Sequence, residues 1–252
     1  MNESMIVFEG VTKKYGNKTA ISDLSFQVEK GEFFGFLGPN GAGKTTSIKS
    51  MIGLVRPDTG KIFIDGIDIS ADPYAARSRI GYVPDSPFIY EKLTGKEFLK
   101  FVGGLYSMEP KTIENKIKWL TEIFDMDEWI NYKSEEYSHG MKQKIVMSAA
   151  FLHEPKLLIV DEPTVGLDPP SKRLLKDLLN LMCKNGVTVF MSTHDLFEVE
   201  ELCGRMVILH EGVISAIGTI DDLRNKAQME GGNLEDLFLK LTGKITKKAY
   251  LE

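Results

Sequence analysis

Cysteine is scarce in this chain: Cys183 and Cys203 are the only two in 252 residues. Neither close spacing nor nearby histidine joins them, so a disulfide framework and a zinc site both lack support. The expected role of each is a buried thiol packed as a small hydrophobe. Long apolar runs are also missing. Leu157-Leu158-Ile159-Val160, Val187-Thr188-Val189-Phe190-Met191 and Met206-Val207-Ile208-Leu209 are all far short of the ~20 residues that a membrane-crossing helix requires. The opening Met1-Asn2-Glu3-Ser4 has neither the charged nor the apolar region of a secretory leader, so a cytoplasmic location is expected. Basic charge is not in excess. Lys and Arg number 31 against 36 Asp and Glu, a net charge of −5, which removes the general attraction to phosphate backbones and speaks against a nucleic-acid partner. There is no internal repeat and no low-complexity linker.

Against these absences stands Gly38-Pro39-Asn40-Gly41-Ala42-Gly43-Lys44-Thr45. Glycines at its first, fourth and sixth places are free to take positive φ, so that consecutive N–H groups turn inward around phosphate oxygens. Lys44 adds a point charge and Thr45 a hydroxyl for Mg²⁺. A helix expected from about residue 43 to residue 51 aims the positive end of its dipole at the same place. Just upstream, Glu32-Phe33-Phe34-Gly35-Phe36-Leu37 reads as a buried parallel strand feeding the loop. The segment predicts a grip on a nucleoside triphosphate.

A second chemical element is Leu157-Leu158-Ile159-Val160-Asp161-Glu162-Pro163. Four apolar residues predict a buried strand whose end delivers two carboxylates to the carboxyl edge of the sheet, where ligands of open α/β folds bind. Side chains pointing different ways would let Asp161 hold Mg²⁺ while Glu162 faces the attacking water.

Periodicity orders the rest. Residues 5–11 and 24–28 alternate as half-buried strands, and residues 61–66 read as a hairpin arm closing on Gly66. From about residue 94 to residue 152, Phe98, Phe101, Leu105, Ile113, Ile117, Leu120 and Phe124 recur at helical spacing. Strands resume near residues 156–160, 187–191 and 206–209, with a helix expected over 171–184. The fold class is α/β: a mainly parallel core sheet, an N-terminal antiparallel β-subdomain and an inserted α-helical subdomain. Residues 1–228 are expected to form the nucleotide-binding domain, with the helical insertion over about 86–154. Residues 229–252 are then expected to form a short C-terminal helical extension, in which residues 233–252 start as an amphipathic helix and end basic.

In this order the motifs resemble those of the nucleotide-binding subunits of ABC transporters, across nearly the whole chain. The resemblance makes Gly38 to Thr45 the Walker A loop, with Thr46 beside it, and Leu157 to Glu162 the Walker B strand. Tyr137-Ser138-His139-Gly140-Met141-Lys142-Gln143 is similar to the signature motif, Gly166-Leu167-Asp168-Pro169 to the D-loop, and Ser192-Thr193-His194-Asp195 to the switch-histidine segment. It implies a P-loop ATPase using ATP and Mg²⁺. Tyr15 then stacks on adenine. Pro39, Asn40, Gly41, Ala42, Gly43 and Lys44 surround the phosphates, while Thr45 and Asp161 hold the metal. Glu162 addresses the water and His194 the γ-phosphate. It also implies that Ser138, His139, Gly140 and Met141 close over ATP held by a second, head-to-tail copy, and that a separate integral membrane permease is driven from the inner face of the cell membrane. Residues 138 and 140 are expected to precede a helix over 141–151, whose N-terminus forms this second anion site.

Two departures stand out. Asp85, after Ile80-Gly81-Tyr82-Val83-Pro84, replaces the usual glutamine; a carboxylate there adds a third negative charge near Asp161 and Glu162, with metal contact as its expected role. In the signature, His139 replaces a glycine and Met141 a glutamine, and His139 reads as a tolerated variant that can add a donor near phosphate. The signature and the chain's ending resemble bacterial export subunits of the drug, peptide or antibiotic-resistance type. The alternative is a soluble ABC ATPase acting on ribosomes or DNA, which usually carries two cassettes or a long coiled coil. A P-loop kinase or GTPase lacks its acceptor site or its guanine-reading Asn-Lys-x-Asp segment here.

Overall fold

Two long strands, β1 (Ser4–Tyr15) and β2 (Lys18–Glu29), pair antiparallel across a turn at Gly16, where φ is +58°. Alternation buries Leu24, Phe26 and Val28 on one face of β2, the pattern of a sheet with one face on a core. The five residues of β3 (Phe33–Leu37) are all buried, as befits a strand at the centre of a covered sheet. Its end runs through the glycine loop into α1 (Lys44–Met51). The chain returns through β4 (Thr59–Ile64), antiparallel to β1, and reverses at Asp65-Gly66, both at positive φ, into β5 (Ile67–Asp68). There follow α2 (Pro73–Arg77) and β6 (Ile80–Val83).

Three helices fill the stretch between β6 and the next strand: α3 (Gly95–Leu105), α4 (Pro110–Phe124) and α5 (His139–Phe151), with a 3-10 turn at Ser134–Glu136. A reciprocal capping box of Thr94 and Glu97 starts α3. The parallel core then resumes as β7 (Leu157–Asp161), α6 (Pro169–Lys184), β8 (Thr188–Thr193), α7 (Leu196–Leu202) and β9 (Arg205–His210). It ends in β10 (Val213–Gly218), α8 (Ile220–Lys226) and α9 (Leu234–Leu241). This computed structural model describes residues 3–227 and 234–241; the basic ending expected beyond residue 241 lies outside the described residues.

The strands form two sheets, β2-β1-β4-β5 and β10-β9-β3-β8-β7-β6. All pairs of the second sheet are parallel except β10 with β9, which confirms the expected α/β class. Stacked rings join the two sheets. Phe26 of β2 lies 6.1 Å from Phe34 and 5.9 Å from Phe36 of β3, and Phe190 of β8 lies 5.1 Å from Phe36. Each such ring contributes roughly 1.5–3 kcal/mol through burial alone.

Some expectations are corrected. Both N-terminal strands extend well beyond residues 5–11 and 24–28, because Lys13-Lys14-Tyr15 and Lys18-Thr19 still pair in the hairpin although all but Lys13 are exposed. α5 begins at His139 and not at residue 141, since the Ser138 hydroxyl accepts the Met141 N–H at 3.3 Å and starts the helix earlier. Cys203 is buried as expected, but Cys183 is only partly so, its Sγ donating to the Gly31 carbonyl oxygen at 3.3 Å.

Candidate functional site

Register brings the chemistry together. Leu37 pairs with Thr193, Ser192 with Asp161, and Val160 with Val83. The loops leaving β3, β8, β7 and β6 therefore emerge side by side at the carboxyl edge of one sheet, where open α/β folds bind ligands. Those loops carry Gly38 to Lys44, His194, Glu162 and Asp85.

The three loop glycines serve different ends. Gly41 has φ +81° with open space where a Cβ would stand, so its backbone alone demands glycine. Gly43, at φ +109°, would also place a Cβ 2.6 Å from the Ala20 carbonyl oxygen. Gly38 is not at positive φ, contrary to the sequence expectation. It is glycine because a Cβ would collide with the Leu209 carbonyl oxygen of the neighbouring β9. No side chain caps α1, which leaves the N–H groups of its first turn for an anion.

The loop opens onto a cleft of about 240 Å³ lined by Tyr15, Lys18, Ala20, Pro39, Asn40, Gly41, Gly43, Lys44, Thr45 and Thr46. That volume falls short of the ~300–1,000 Å³ of a closed ligand pocket. Tyr15 is half exposed, with the Lys13 ammonium 5.6 Å from its ring centre. Lys18 and Ala20 were not foreseen as cleft residues; the signal was that Lys18 pairs with Tyr15 across the hairpin and Ala20 follows two residues on, on the same face of the strand. Ala42 belongs to the loop but is buried beneath it, its carbonyl oxygen accepting the Gly212 N–H at 2.9 Å.

Charge in the site is unbalanced. Lys44 is almost wholly buried and donates to the Gly38 carbonyl oxygen at 2.6 Å. Burial lowers its pKa, with Glu162 and Asp161 pulling the other way. Asp161, only 3% exposed, has its carboxyl pushed up to about 6, first by burial and then by the nearby charges of Asp85 and Glu162. Added phosphate would favour the ammonium, and an added divalent cation the carboxylate. The donor set of Asp161 and the exposed Thr45 hydroxyl therefore fits a hard, oxygen-seeking ion such as Mg²⁺.

Glu162 turns out of the strand at φ +49°, its N–H donating to the Ser192 carbonyl oxygen at 2.8 Å. Its Oε2 accepts from His194 Nδ1 at 2.8 Å and from Thr193 Oγ1 at 3.4 Å. With Nδ1 engaged, Nε2 is the ring nitrogen left for a ligand. Asp85 lies exposed just beyond β6. Asp168 caps α6 by accepting the Ser171 N–H at 3.2 Å, and its hydrogen bonds to Ser171 hold its carboxyl below the ordinary range.

Ser138, His139, Gly140 and Met141 are absent from the cleft wall among the described residues. They lie against the loop that follows Glu162: a Cβ on Gly140 would stand 3.7 Å from the Gly166 carbonyl oxygen. Tyr137 anchors this end of α5 from below, buried, with its hydroxyl donating to the Ile130 carbonyl oxygen at 3.1 Å and accepting the Gly95 N–H at 2.9 Å.

Known proteins resemble this chain in sequence and in fold. The family model described as ABC transporter matches residues 21–165. The chain is 37% identical over 239 residues to the ABC-type transporter ATP-binding protein EcsA of Bacillus subtilis (strain 168), covering 95% of this chain and 97% of that one. It is 38% identical over 247 residues to the linearmycin resistance ATP-binding protein LnrL of the same organism, covering 98% and 78%. A solved structure described as the ATP binding subunit of an ABC transporter matches with a TM-score of 0.90 at 35% identity, over 95% of this chain and 100% of the other. Identity and fold likeness at this coverage show a shared descent, and the chain belongs to the ABC transporter family as an ATP-binding subunit.

Proposed function

We propose that this chain hydrolyses ATP as one of two head-to-tail copies and thereby drives a separate membrane permease, most consistently an exporter. One observation carries the reading. Lys44 lines an open cleft, and Asp161, Glu162 and His194 stand at the ends of the neighbouring strands β7 and β8, while the helix end at Ser138 to Met141 is turned toward another loop. A site with one wall calls for a second copy to supply the other.

In the reaction, a water oxygen attacks the γ-phosphorus as the bond from that phosphorus to the bridging oxygen breaks, releasing ADP and phosphate. Glu162 takes the water's proton, and His194 holds Glu162 through Nδ1 while Nε2 meets the γ-phosphate. Lys44 and the loop N–H groups hold the phosphate oxygens against the developing charge. Mg²⁺, when bound, would supply further charge neutralisation, and Thr45, Asp161 and Asp85 are the residues that would hold it. Tyr15 supplies a face for adenine.

No described helix is long and apolar enough to cross a membrane, so a transport role places the crossing in a partner. A mostly apolar groove of about 390 Å³ between β6, α3 and α5 fits an apolar helix of such a permease at the inner membrane face; Leu54 and Phe88 stand on its rim, 66% and 70% exposed. Its wall includes Pro84, next to Asp85. Export accords with the name of LnrL, a resistance protein. The net charge of −5 supports no nucleic-acid partner.

Glu162→Gln tests the chemistry. Phosphate release should fall by ~10²–10⁴-fold, while ATP binding, followed by equilibrium dialysis, stays within a factor of about two. An unchanged rate removes Glu162 from its role.

A further inference from the structure

His139 stands where relatives of the resembled type carry glycine, and the structure shows what its ring touches. It is the first residue of α5, directly after the capping Ser138. Its imidazole lies over Gly166. A Cβ on Gly166 would collide with His139 Cδ2 and come within 2.9 Å of Nε2, while the side chain stays exposed on its outer side. Gly166, at φ +79°, belongs to the tight turn that leaves Glu162. In that turn the Val165 N–H donates to the Glu162 carbonyl oxygen at 3.2 Å and the Leu167 N–H to that of Thr164 at 3.3 Å. Leu167 is buried and fixes the far side, and Asp168 caps α6 one residue later.

We propose that His139 is a positioning residue: its ring clamps the start of α5 to the turn carrying Glu162, so that the two move as one body. The proposal rests on the two-copy reading and deepens it. On that reading Glu162 serves the nucleotide on its own chain, whereas Ser138 and Gly140 serve the nucleotide on the second copy. A rigid ring between them makes occupancy of one site set the geometry of the carboxylate in the other. A glycine at position 139 has no atoms with which to make this contact. The ring acts by shape, against a backbone that has no Cβ, and its nitrogens are not required.

The test is steady-state ATP hydrolysis by the full chain and three variants, with ATP affinity and melting temperature recorded for each. His139→Gly should lower kcat about tenfold, the scale of a small misplacement at a catalytic group, with KM and melting temperature nearly unchanged. His139→Phe, which keeps a planar ring and discards both nitrogens, should recover at least half of the wild-type kcat. Gly166→Ala should cost several-fold more in the wild-type background than in His139→Gly, because only the former has a ring to strike. Wild-type kcat in His139→Gly overturns the proposal. So does a kcat in His139→Phe as low as in His139→Gly, which would make a ring nitrogen the acting group. So does an equal cost of Gly166→Ala in both backgrounds. Hydrolysis by the unaltered chain is read in the same assay, so failure of the ATPase reading is seen separately from failure of the clamp.

Discussion

Asp65 shows how much one carboxylate can organise far from the site. It occupies left-handed backbone at φ +49° at the β4–β5 turn and receives Lys30 at 2.8 Å and Lys156 at 2.9 Å, joining the first strand pair to the entrance of β7. Burial opposes its charge, but hydrogen bonds from Lys30 and Lys156 outweigh burial and hold the carboxyl below its ordinary 3.8. A folded-state value below the unfolded one means that the contribution is present above about pH 4 and is lost as pH falls through the folded value. Asp65→Asn keeps the turn and removes the charge. It should cost about 1 kcal/mol at pH 7, since both lysines are partly in solvent, and nothing once the wild-type carboxyl is protonated. Urea unfolding at pH 7 and below pH 3 reads the difference; an equal cost at both would show that the charge is idle. The glycine loop teaches a related lesson. Its phosphate-gripping role is a reading from spacing alone, but the reason for Gly38 was not legible. That glycine answers to the Leu209 carbonyl oxygen, more than 170 positions along the chain, and no local pattern encodes such a contact.

At the scale of elements, β3 decides the fold. Its five buried residues, flanked by β8 and β9 in parallel register, were legible as an unbroken apolar run, and so were β7, β8 and β9. Less legible were elements that carry little apolar signal of their own. The short α2 has one buried residue and starts on Asp72 and Pro73. β10 has one fully buried residue and exists through pairing with β9. The start of α5 was misread by two residues because Gly140 looks like a helix breaker, whereas the Ser138 cap holds that turn. In each case a tertiary partner or a capping hydrogen bond supplied what propensity did not. The ring stack gives the element-level prediction. Phe36→Ala removes the contacts to Phe26 and Phe190 at the seam of the two sheets and should cost about 3–5 kcal/mol. A loss under about 1 kcal/mol in denaturant titration would mean that the sheets do not depend on this stack.

At the scale of the whole molecule, the apolar groove and the cleft are open among the described residues. Phe88→Asp places a charge on the groove rim, 70% exposed in the free chain, so folding should tolerate it. It should abolish co-purification with a membrane partner from detergent while leaving ATP binding intact. Retained co-purification would move the docking site elsewhere. The central claim is that the cleft is half a site and that a second copy completes it. Light scattering on Glu162→Gln with saturating ATP and Mg²⁺ tests this most directly. The expected result is a particle of twice the 28.3 kDa chain mass that reverts to one chain when nucleotide is removed. A single-chain mass at full nucleotide occupancy would contradict it.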